Sequence, residues 1–312
     1  MNEHKSVSES RIVITGLARD VSDVIDEEVS RLKQAFSDFE EIYFFIVESD
    51  SMDNTVEKLK ELAIRDHRFD FLSLGAMQSK FPERIERLAH CRKIAAETIQ
   101  KYEVDYVCVS DLDGTNRLLS KDAVTSCWTK SDWDVCTANQ LGYYYDVYAL
   151  RQKDWCARDY SLDITFLESV GFHPMKARRI AVLKKQKRIK RNAKWIEVES
   201  AFGGLAIYTK AAYCLGKYAH LDAQTGRIIC EHVPFNISIK NQGRRIFINP
   251  ALINHRVVRH GSIPSYLRYV AQYLLSMVSP RIFREWEKKR FGMSNVDIFR
   301  LFLLRIVKKF FL

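Results

Sequence analysis

Short runs of β-branched and aromatic residues alternate with longer segments of helical spacing along the first third of the chain. The apolar runs cover residues 11–15, 42–47, 69–74 and 104–109, and the helical segments between them cover residues 24–36, 55–64 and 84–100. Strands that alternate with helices in this way are typical of a parallel sheet with helices on its faces. We therefore predict an α/β fold with a mainly parallel sheet flanked by helices.

The rest of the chain has weaker patterns. Strands are predicted over residues 133–138, 206–208 and 245–248, whereas residues 151–197 show no clear period and are interpreted as an insertion or a mobile loop. Residues 261–312 have helical spacing and many basic side chains. The predicted organisation is a disordered N-terminus over residues 1–10, one α/β domain over residues 11–260, and a basic amphipathic helical tail over residues 261–312.

The positive charge of the chain is concentrated in two segments. The net charge is +10, yet residues 151–197 contain thirteen Lys/Arg against five Asp/Glu, and residues 262–312 contain ten against three. Such asymmetry indicates an anionic partner, which can be nucleic acid, anionic lipid or a phosphorylated substrate. A solvated basic surface is the alternative. A basic helix rich in Phe and Leu at the C-terminus is typical of a helix in a membrane interface, although packing on the domain or in a dimer remains open.

The seven cysteines indicate a reducing compartment. Their number is odd, they form no CxxC pair, and several lie in apolar runs, so a disulfide framework or a zinc site is not expected. Residues 1–10 lack the apolar core of a signal peptide, and no run of about 18 apolar residues is present. We expect a cytoplasmic protein that is peripheral on the inner face of a membrane.

Polar clusters follow three of the predicted strands directly, at residues 16–19, 48–53 and 111–116. Ligands of parallel α/β sheets bind beyond the carboxyl ends of the strands. Because those ends meet at one edge of the sheet, we expect the three clusters to line a single crevice. The coincidence of three such clusters is more informative than any one of them.

Asp111 and Asp113, separated by one residue, follow the fourth predicted strand. Mg²⁺ and Mn²⁺ prefer oxygen ligands and are often bound by one or two carboxylates together with substrate phosphates. Asp113 is predicted to bind the metal directly, whereas Asp111 either binds it or contacts a ribose or a metal-bound water. The alternative is a loop in which these carboxylates bind only backbone amides.

Two further groups are candidates for binding a nucleotide. Glu48 or Asp50, after the second predicted strand, can accept hydrogen bonds from a ribose or a base, although the same segment can simply cap the next helix. Arg84, Arg87 and Arg92 lie on the helix that precedes Asp111. An arginine of this helix that points inwards can contact a diphosphate, and solvated arginines are the alternative.

Together, residues 16–20, 48–55, 84–92 and 111–113 resemble the nucleotide-binding half of glycosyltransferases with the GT-A fold, a Rossmann-type fold. Within that fold the arrangement is similar to the capsule-associated mannosyltransferases of fungi and to related bacterial and viral enzymes. The resemblance covers roughly residues 10–255, and residues 144–151 and 202–205 resemble further segments of these enzymes. Asp20 and Lys93 stand where the family pattern often has Asn.

The resemblance implies roles for individual residues. Glu231 would orient or deprotonate the acceptor hydroxyl, and Asp146 would belong to the catalytic group near the sugars. His255, or alternatively His232, would complete a site for Mn²⁺ or Mg²⁺ with Asp111 and Asp113. Nucleotide-sugar binding is assigned to Thr15, Arg19, Glu48, Asp50, Arg84, Arg92, Asp111, Gly203 and Gly204, of which the two glycines also resemble an acceptor-side loop.

The function expected from these features is transfer of a sugar from a nucleotide-sugar donor to a glycan or glycolipid acceptor, in surface polysaccharide or lipopolysaccharide synthesis. The tail over residues 261–312 would contact the membrane. Two alternatives remain open, a nucleotidyltransferase on a related fold and a non-catalytic nucleic-acid-binding protein that uses the basic residues 184–191. In a glycosyltransferase, those same basic residues would close on the diphosphate.

Overall fold

The computed structural model describes residues 4–256 of the chain. It contains one eight-stranded sheet with the order β3-β2-β1-β4-β7-β5-β8-β6. The strands are β1 (Arg11–Ala18), β2 (Glu41–Glu48), β3 (Phe69–Ser73), β4 (Tyr106–Ser110), β5 (Val135–Gln140), β6 (Ile196–Val198), β7 (Leu205–Thr209) and β8 (Ile246–His255). The pairs β1–β2, β1–β4, β2–β3 and β5–β8 are parallel, whereas β7 runs antiparallel to β4 and β5, and β6 runs antiparallel to β8.

Helices cover both faces of this sheet, which confirms the predicted α/β class. They are α1 (Ile25–Ala35), α2 (Thr55–Arg65), α3 (Arg84–Ile99), α4 (Lys121–Thr125), α5 (Tyr160–Ser169), α6 (Pro174–Ala181), α7 (Lys210–Tyr213) and α8 (His232–Lys240). Short 3-10 helices lie at Val7–Glu9, Ser126–Thr129 and Leu183–Lys185. No helix within residues 4–256 is both long enough and apolar enough to cross a bilayer.

The two faces of the sheet pack in two separate apolar clusters. Successive strand side chains point to opposite faces, so Ile12 and Ile14 belong to one cluster while Val13 belongs to the other. Helices α1, α2 and α4 pack on the first face, and α3, α7 and α8 pack on the second. Burial on both faces explains why the central strands have continuous rather than alternating apolar sequences.

Three segments differ from the sequence expectation or add to it. Strand β1 continues through Gly16 to Ala18, because the missing side chain lets the strand lie against the carbonyl oxygen of Ser110, where a Cβ would overlap. Helix α8 was not predicted, since its apolar residues lack helical spacing and it contains Pro234. Residues 151–197, interpreted as an insertion or a mobile loop, contain α5, α6 and the start of β6.

The two predicted terminal segments have different outcomes. Of residues 1–10, the structure describes residues 4–10, and Lys5 there pairs with Asp105 at an Nζ–Oδ2 distance of 3.2 Å. Of the tail predicted over residues 261–312, nothing lies within the described residues. Its predicted role at a membrane therefore stays a prediction.

Candidate active site

The loop after β4 carries Asp111 and Asp113 at the carboxyl edge of the sheet. The Nδ2 atom of Asn116 lies 2.9 Å from the Oγ of Ser110 and 3.0 Å from the carbonyl oxygen of Asp111. The same amide donates to the Oε1 of Glu28 at 2.6 Å, and the Glu28 side chain is wholly buried in α1. A buried polar contact with α1 therefore holds in place the loop that carries Asp111 and Asp113.

A glycine turn before β7 lies against this loop. Gly203 and Gly204 have φ values of 72° and 85°, which favour glycine. The backbone N–H of Asp111 donates to the carbonyl oxygen of Gly204 at 2.9 Å, and Asp146 accepts from the N–H of Gly203 at 2.9 Å and from that of Ala149 at 3.2 Å. Asp146 thus holds the turn in place, and burial raises its pKa.

Two buried amides fasten the same turn to the far strands. The side chains of Gln140 and Asn254 both donate to the carbonyl oxygen of Gly203, at 2.9 Å and 2.8 Å. A Cβ on Gly204 would lie 2.7 Å from Thr115 and 3.1 Å from the hydroxyl of Tyr145. The glycine is therefore needed for close packing of the turn on the loop after β4.

The side chain of Arg92 contacts two acidic groups of the site, Glu231 and Asp111. Its Nε donates to the Oε1 of Glu231 at 3.0 Å, and its Nη2 lies 3.7 Å from the Oδ1 of Asp111. The guanidinium also lies over the ring of Phe202, with the Cζ 5.5 Å from the centroid. Burial by itself would lower the pKa of Arg92, but Glu231 and Asp111 raise it, so the side chain stays cationic.

The carboxyl group of Asp111 is difficult to ionise. Burial raises its pKa to about 8, and Asp113 contributes in the same direction, although Arg92 opposes both. A bound cation would stabilise the ionised form of such a group, so the pair is suited to a cation. Thr115 donates its hydroxyl to the Oδ1 of Asp113 and orients that exposed carboxylate.

His255 lies at the end of β8 with its Nδ1 buried and without a hydrogen-bond partner in the described part of the chain. Burial, and then Arg117, lower its pKa, while Asp113 acts against them. A neutral imidazole near Asp113 fits a third ligand of a divalent cation. Within residues 4–256, no three His, Cys, Asp or Glu side chains already form a metal cluster.

His232, the alternative ligand, lies in a different setting. Its ring stacks on that of Phe202 at a centroid distance of 3.8 Å, and its side chain is 4% exposed. Burial lowers its pKa well below the usual value, and Arg92 adds to that effect. Neither ring nitrogen forms a hydrogen bond within residues 4–256. Of the two histidines, His255 is the one that Asp113 influences.

On the donor side, Thr15 lies beside Arg92 in a small cavity that is also lined by Gly16, Leu17 and Tyr218. The Thr15 hydroxyl is buried and has no hydrogen-bond partner among residues 4–256. An unpartnered buried hydroxyl next to a cation is a suitable contact for a polar ligand. The cavity lies between β1, β4 and α3, and its role in donor binding remains a prediction.

The other predicted donor residues are arranged around loops at the ends of β2 and β3. Glu48 is buried, and it accepts from the N–H of Ser51 at 2.9 Å. Asp50 accepts from the N–H groups of Met77 and Gln78, each at 2.8 Å, and its carboxylate lies 3.5 Å from the Nε of Arg87. Both carboxylates therefore position loops, and their roles in nucleotide binding remain predictions.

The arginines predicted for the donor site lie in three different settings. Arg92 is buried at its centre, whereas Arg84 and Arg19 are exposed, the latter with its Nε 3.5 Å from the carboxylate of Asp20. Arg87 is buried and donates to the carbonyl oxygens of Phe81 and Pro82. The structure thus brings one of these arginines to Asp111.

The buried residues that support the site were not identified from the sequence. Glu28 lies among other charged residues in α1, Gln140 and Asn254 lie near the ends of β5 and β8, and Phe202 was seen only as a neighbour of the glycines. The spacing of Glu28 could have been used, since it lies with Ile25 and Val29 on the buried side of α1 and a buried polar group needs a partner. The identity of that partner depends on the tertiary structure.

Comparisons with known proteins give matches among solved structures. No protein-family model matches the sequence, and no curated protein sequence matches it. The mannosyltransferase PcManGT from Pyrobaculum calidifontis, in complex with GDP-Man and Mn²⁺, is 12% identical at a TM-score of 0.47, covering 96% of this chain and 70% of that one. S. aureus TarS in complex with UDP-GlcNAc is 14% identical at a TM-score of 0.45, covering 84% and 65%.

A third similar structure is glucosyl-3-phosphoglycerate synthase from Mycobacterium tuberculosis in complex with uridine diphosphate. It is 12% identical at a TM-score of 0.35, and the match covers 84% of this chain and 78% of that one. The functional conclusion therefore depends on the geometry of this chain's own site.

Proposed function

We propose that this protein is a metal-dependent glycosyltransferase that uses a nucleotide-sugar donor. The observation that carries the proposal is the buried Arg92, which contacts both Asp111 and Glu231 at the carboxyl edge of the sheet. It joins a carboxylate pair suited to a cation with a second carboxylate suited to an acceptor hydroxyl. Both kinds of group are needed when a diphosphate leaves one side of a sugar and a hydroxyl attacks the other.

The donor half of the site contains the metal ligands. Asp111, Asp113 and His255 would hold Mn²⁺ or Mg²⁺, whose chemistry is the neutralisation of charge on the departing diphosphate. Thr15 and Arg92, which lie side by side between β1 and α3, would contact the donor. The turn at Gly203 and Gly204 offers backbone without side chains, so a sugar ring can approach it closely.

The acceptor half of the site centres on Glu231. Arg92 donates to its Oε1, whereas among residues 4–256 its Oε2 receives a single long contact of 3.8 Å, from the thiol of Cys230. Oε2 is therefore the oxygen free to accept the proton of an attacking hydroxyl. Asp146 acts through the backbone of Gly203, which makes it a positioning residue in this proposal.

The proposal includes a glycan or glycolipid acceptor of surface polysaccharide or lipopolysaccharide synthesis. It is supported by the open approach to Asp113, which is exposed, and by the concentration of basic residues in 151–197. Contact of residues 261–312 with the inner face of a membrane belongs to the same proposal.

The test is donor hydrolysis by the full chain with a panel of UDP-, GDP- and CMP-sugars, with and without Mn²⁺. Asp113→Ala is expected to abolish metal-dependent release of the nucleotide while the melting temperature is retained, since Asp113 is exposed. Asp154→Ala, which removes another exposed carboxylate, is the matched control. Full activity of the Asp113→Ala protein would refute the proposal, and release of pyrophosphate from a nucleoside triphosphate would instead indicate a nucleotidyltransferase.

A further inference from the structure

Five of the ten residues of helix α5 are apolar and do not share a single face, and yet none of the ten is buried. Phe166 is 58% exposed, and Val170, directly after the helix, is 55% exposed. Exposed apolar side chains of this size on a helix are normally enclosed by protein or by lipid. Within residues 4–256, α6, Tyr148 and Lys185 cover one part of α5, whereas Phe166 and Val170 are left in solvent.

Basic side chains surround α5. Between residues 165 and 194, Glu168 is the single acidic residue. The exposed basic residues there are Lys176, Arg179, Lys184, Lys187, Arg188, Lys190, Arg191 and Lys194. Within the described chain, none of these eight forms an ion pair, so their charge is not compensated.

The apolar and basic groups belong to one surface, formed by residues 160–194 and called here the α5–α6 surface. At the end of α5, the N–H of Phe172 donates to the carbonyl oxygen of Leu167 at 2.9 Å, which folds the turn back on the helix. The Nζ of Lys176 lies 4.9 Å from the ring centroid of Phe172. Asp163 of α5 binds Lys185, which ties the helix to the basic segment.

We propose that the α5–α6 surface binds an anionic phospholipid bilayer. Phe166 and Val170 enter the interface between headgroups and acyl chains, and the lysines and arginines around them contact lipid phosphates. Exposed apolar side chains flanked by cations are the combination that such an interface selects.

The basic charge and the exposed apolar side chains of the α5–α6 surface together distinguish anionic lipid from other possible partners. A second copy of the chain would place two uncompensated basic surfaces face to face. The segment over residues 262–312 has ten Lys/Arg against three Asp/Glu, so its charge does not complement that of this surface. A nucleic acid would match the charge, but it would leave Phe166 and Val170 in water. Anionic lipid satisfies both the charged and the apolar parts.

The α5–α6 surface also adjoins the candidate active site. The N–H of Tyr144 donates to the carbonyl oxygen of Lys187 at 2.8 Å, and Gln186 donates to the carbonyl oxygen of Tyr145 at 3.3 Å. Tyr145 packs on the glycine turn beside Asp111. Docking of this surface therefore brings the glycine turn beside Asp111 towards the membrane, although the inference does not depend on the proposed reaction.

The experiment is co-sedimentation of the full chain with vesicles of phosphatidylcholine, with and without phosphatidylserine. Binding is expected only where phosphatidylserine is present. The Phe166→Ser/Val170→Ser protein should bind at least about five-fold more weakly, because it loses the apolar contact. Met52→Ser/Ile64→Ser removes two apolar side chains that are 93% and 86% exposed elsewhere, and it should bind as the wild type does.

A second pair of variants tests the charge. Each basic residue near such a surface contributes about 1 kcal/mol, or roughly five-fold, so Lys176→Gln/Arg179→Gln should weaken binding about 25-fold. Lys60→Gln/Lys101→Gln removes two exposed lysines elsewhere and should have little effect. Because all four variants keep residues 257–312, a contribution from that segment is the same in each.

Several results would overturn the inference. They are equal binding to vesicles without phosphatidylserine, equal binding by all four variants, or a wild-type dimer that Phe166→Ser/Val170→Ser dissociates. Binding of RNA that is lost in Lys176→Gln/Arg179→Gln, without any effect on vesicles, would also overturn it. Unchanged melting temperatures are expected for every variant, since the substituted side chains are exposed.

Discussion

Replacement of Arg92 by Met is expected to be one of the most destabilising single substitutions in this domain. The guanidinium neutralises Glu231, whose side chain is 5% exposed, and it also faces Asp111. Removal of one partner of a buried ion pair leaves an uncompensated charge in the interior, which costs about 3–5 kcal/mol. For a chain of this size, at about 2 °C per kcal/mol, the melting temperature should fall by roughly 6–10 °C.

Arg65→Met is a suitable control for this experiment. Arg65 pairs with Asp26 at an Nη2–Oδ1 distance of 2.7 Å, but its side chain is 59% exposed. Exposed pairs of this kind contribute about 0–1 kcal/mol, so the melting temperature should change little. Calorimetry of both variants at one pH and one salt concentration measures the difference that burial makes.

A double-mutant cycle tests the stated cause. If the cost of Arg92→Met is the charge left on Glu231, then Glu231→Gln should recover a large part of it in the double variant, with a coupling of about 1–3 kcal/mol. The reasoning is refuted if Arg92→Met costs no more than Arg65→Met. It is also refuted if Arg92→Met and Glu231→Gln are additive, since the loss would then come from packing.

Three other substitutions or treatments have definite expected outcomes. In urea unfolding, Gly203→Ala should cost about 1–2 kcal/mol for its positive φ and about 1–3 kcal/mol more for a Cβ 2.6 Å from the carbonyl oxygen of Ala138. Gly243→Ala, at a similar φ in open space, should cost only the first amount. Burial raises the pKa of Glu28 above its unfolded value, so the stability from this group is present below the unfolded pKa and is lost as the pH rises through the folded pKa. The stability of the wild type relative to Glu28→Gln should therefore fall from pH 4 towards pH 7. A difference that does not change with pH would contradict this sign. Mn²⁺ should raise the melting temperature of the wild type and not that of Asp113→Ala, and EDTA should reverse the rise. Equal shifts of the melting temperature in both proteins would exclude Asp113 as a ligand.

The local chemistry of the first half of the chain was predictable from the sequence. The apolar runs that became β1, β2 and β4 are short, β-branched and followed by polar residues, so hydrophobic periodicity was sufficient to identify them. The position of Asp111 at the carboxyl edge followed from the same pattern, because parallel strands end at one edge of a sheet. By contrast, the α helices of residues 151–197 were missed, since α5 has apolar residues without a single face.

The partners within the site were decided by the tertiary structure alone. Arg92 contacts Glu231, which is 139 positions away, and Glu28 contacts Asn116, which is 88 positions away. A sequence pattern reports the periodicity of one element, whereas these pairs depend on how α1, α3 and α8 pack on opposite faces of the sheet. The sequence by itself determined which groups reach the edge of the sheet, and packing determined which of their charges are paired.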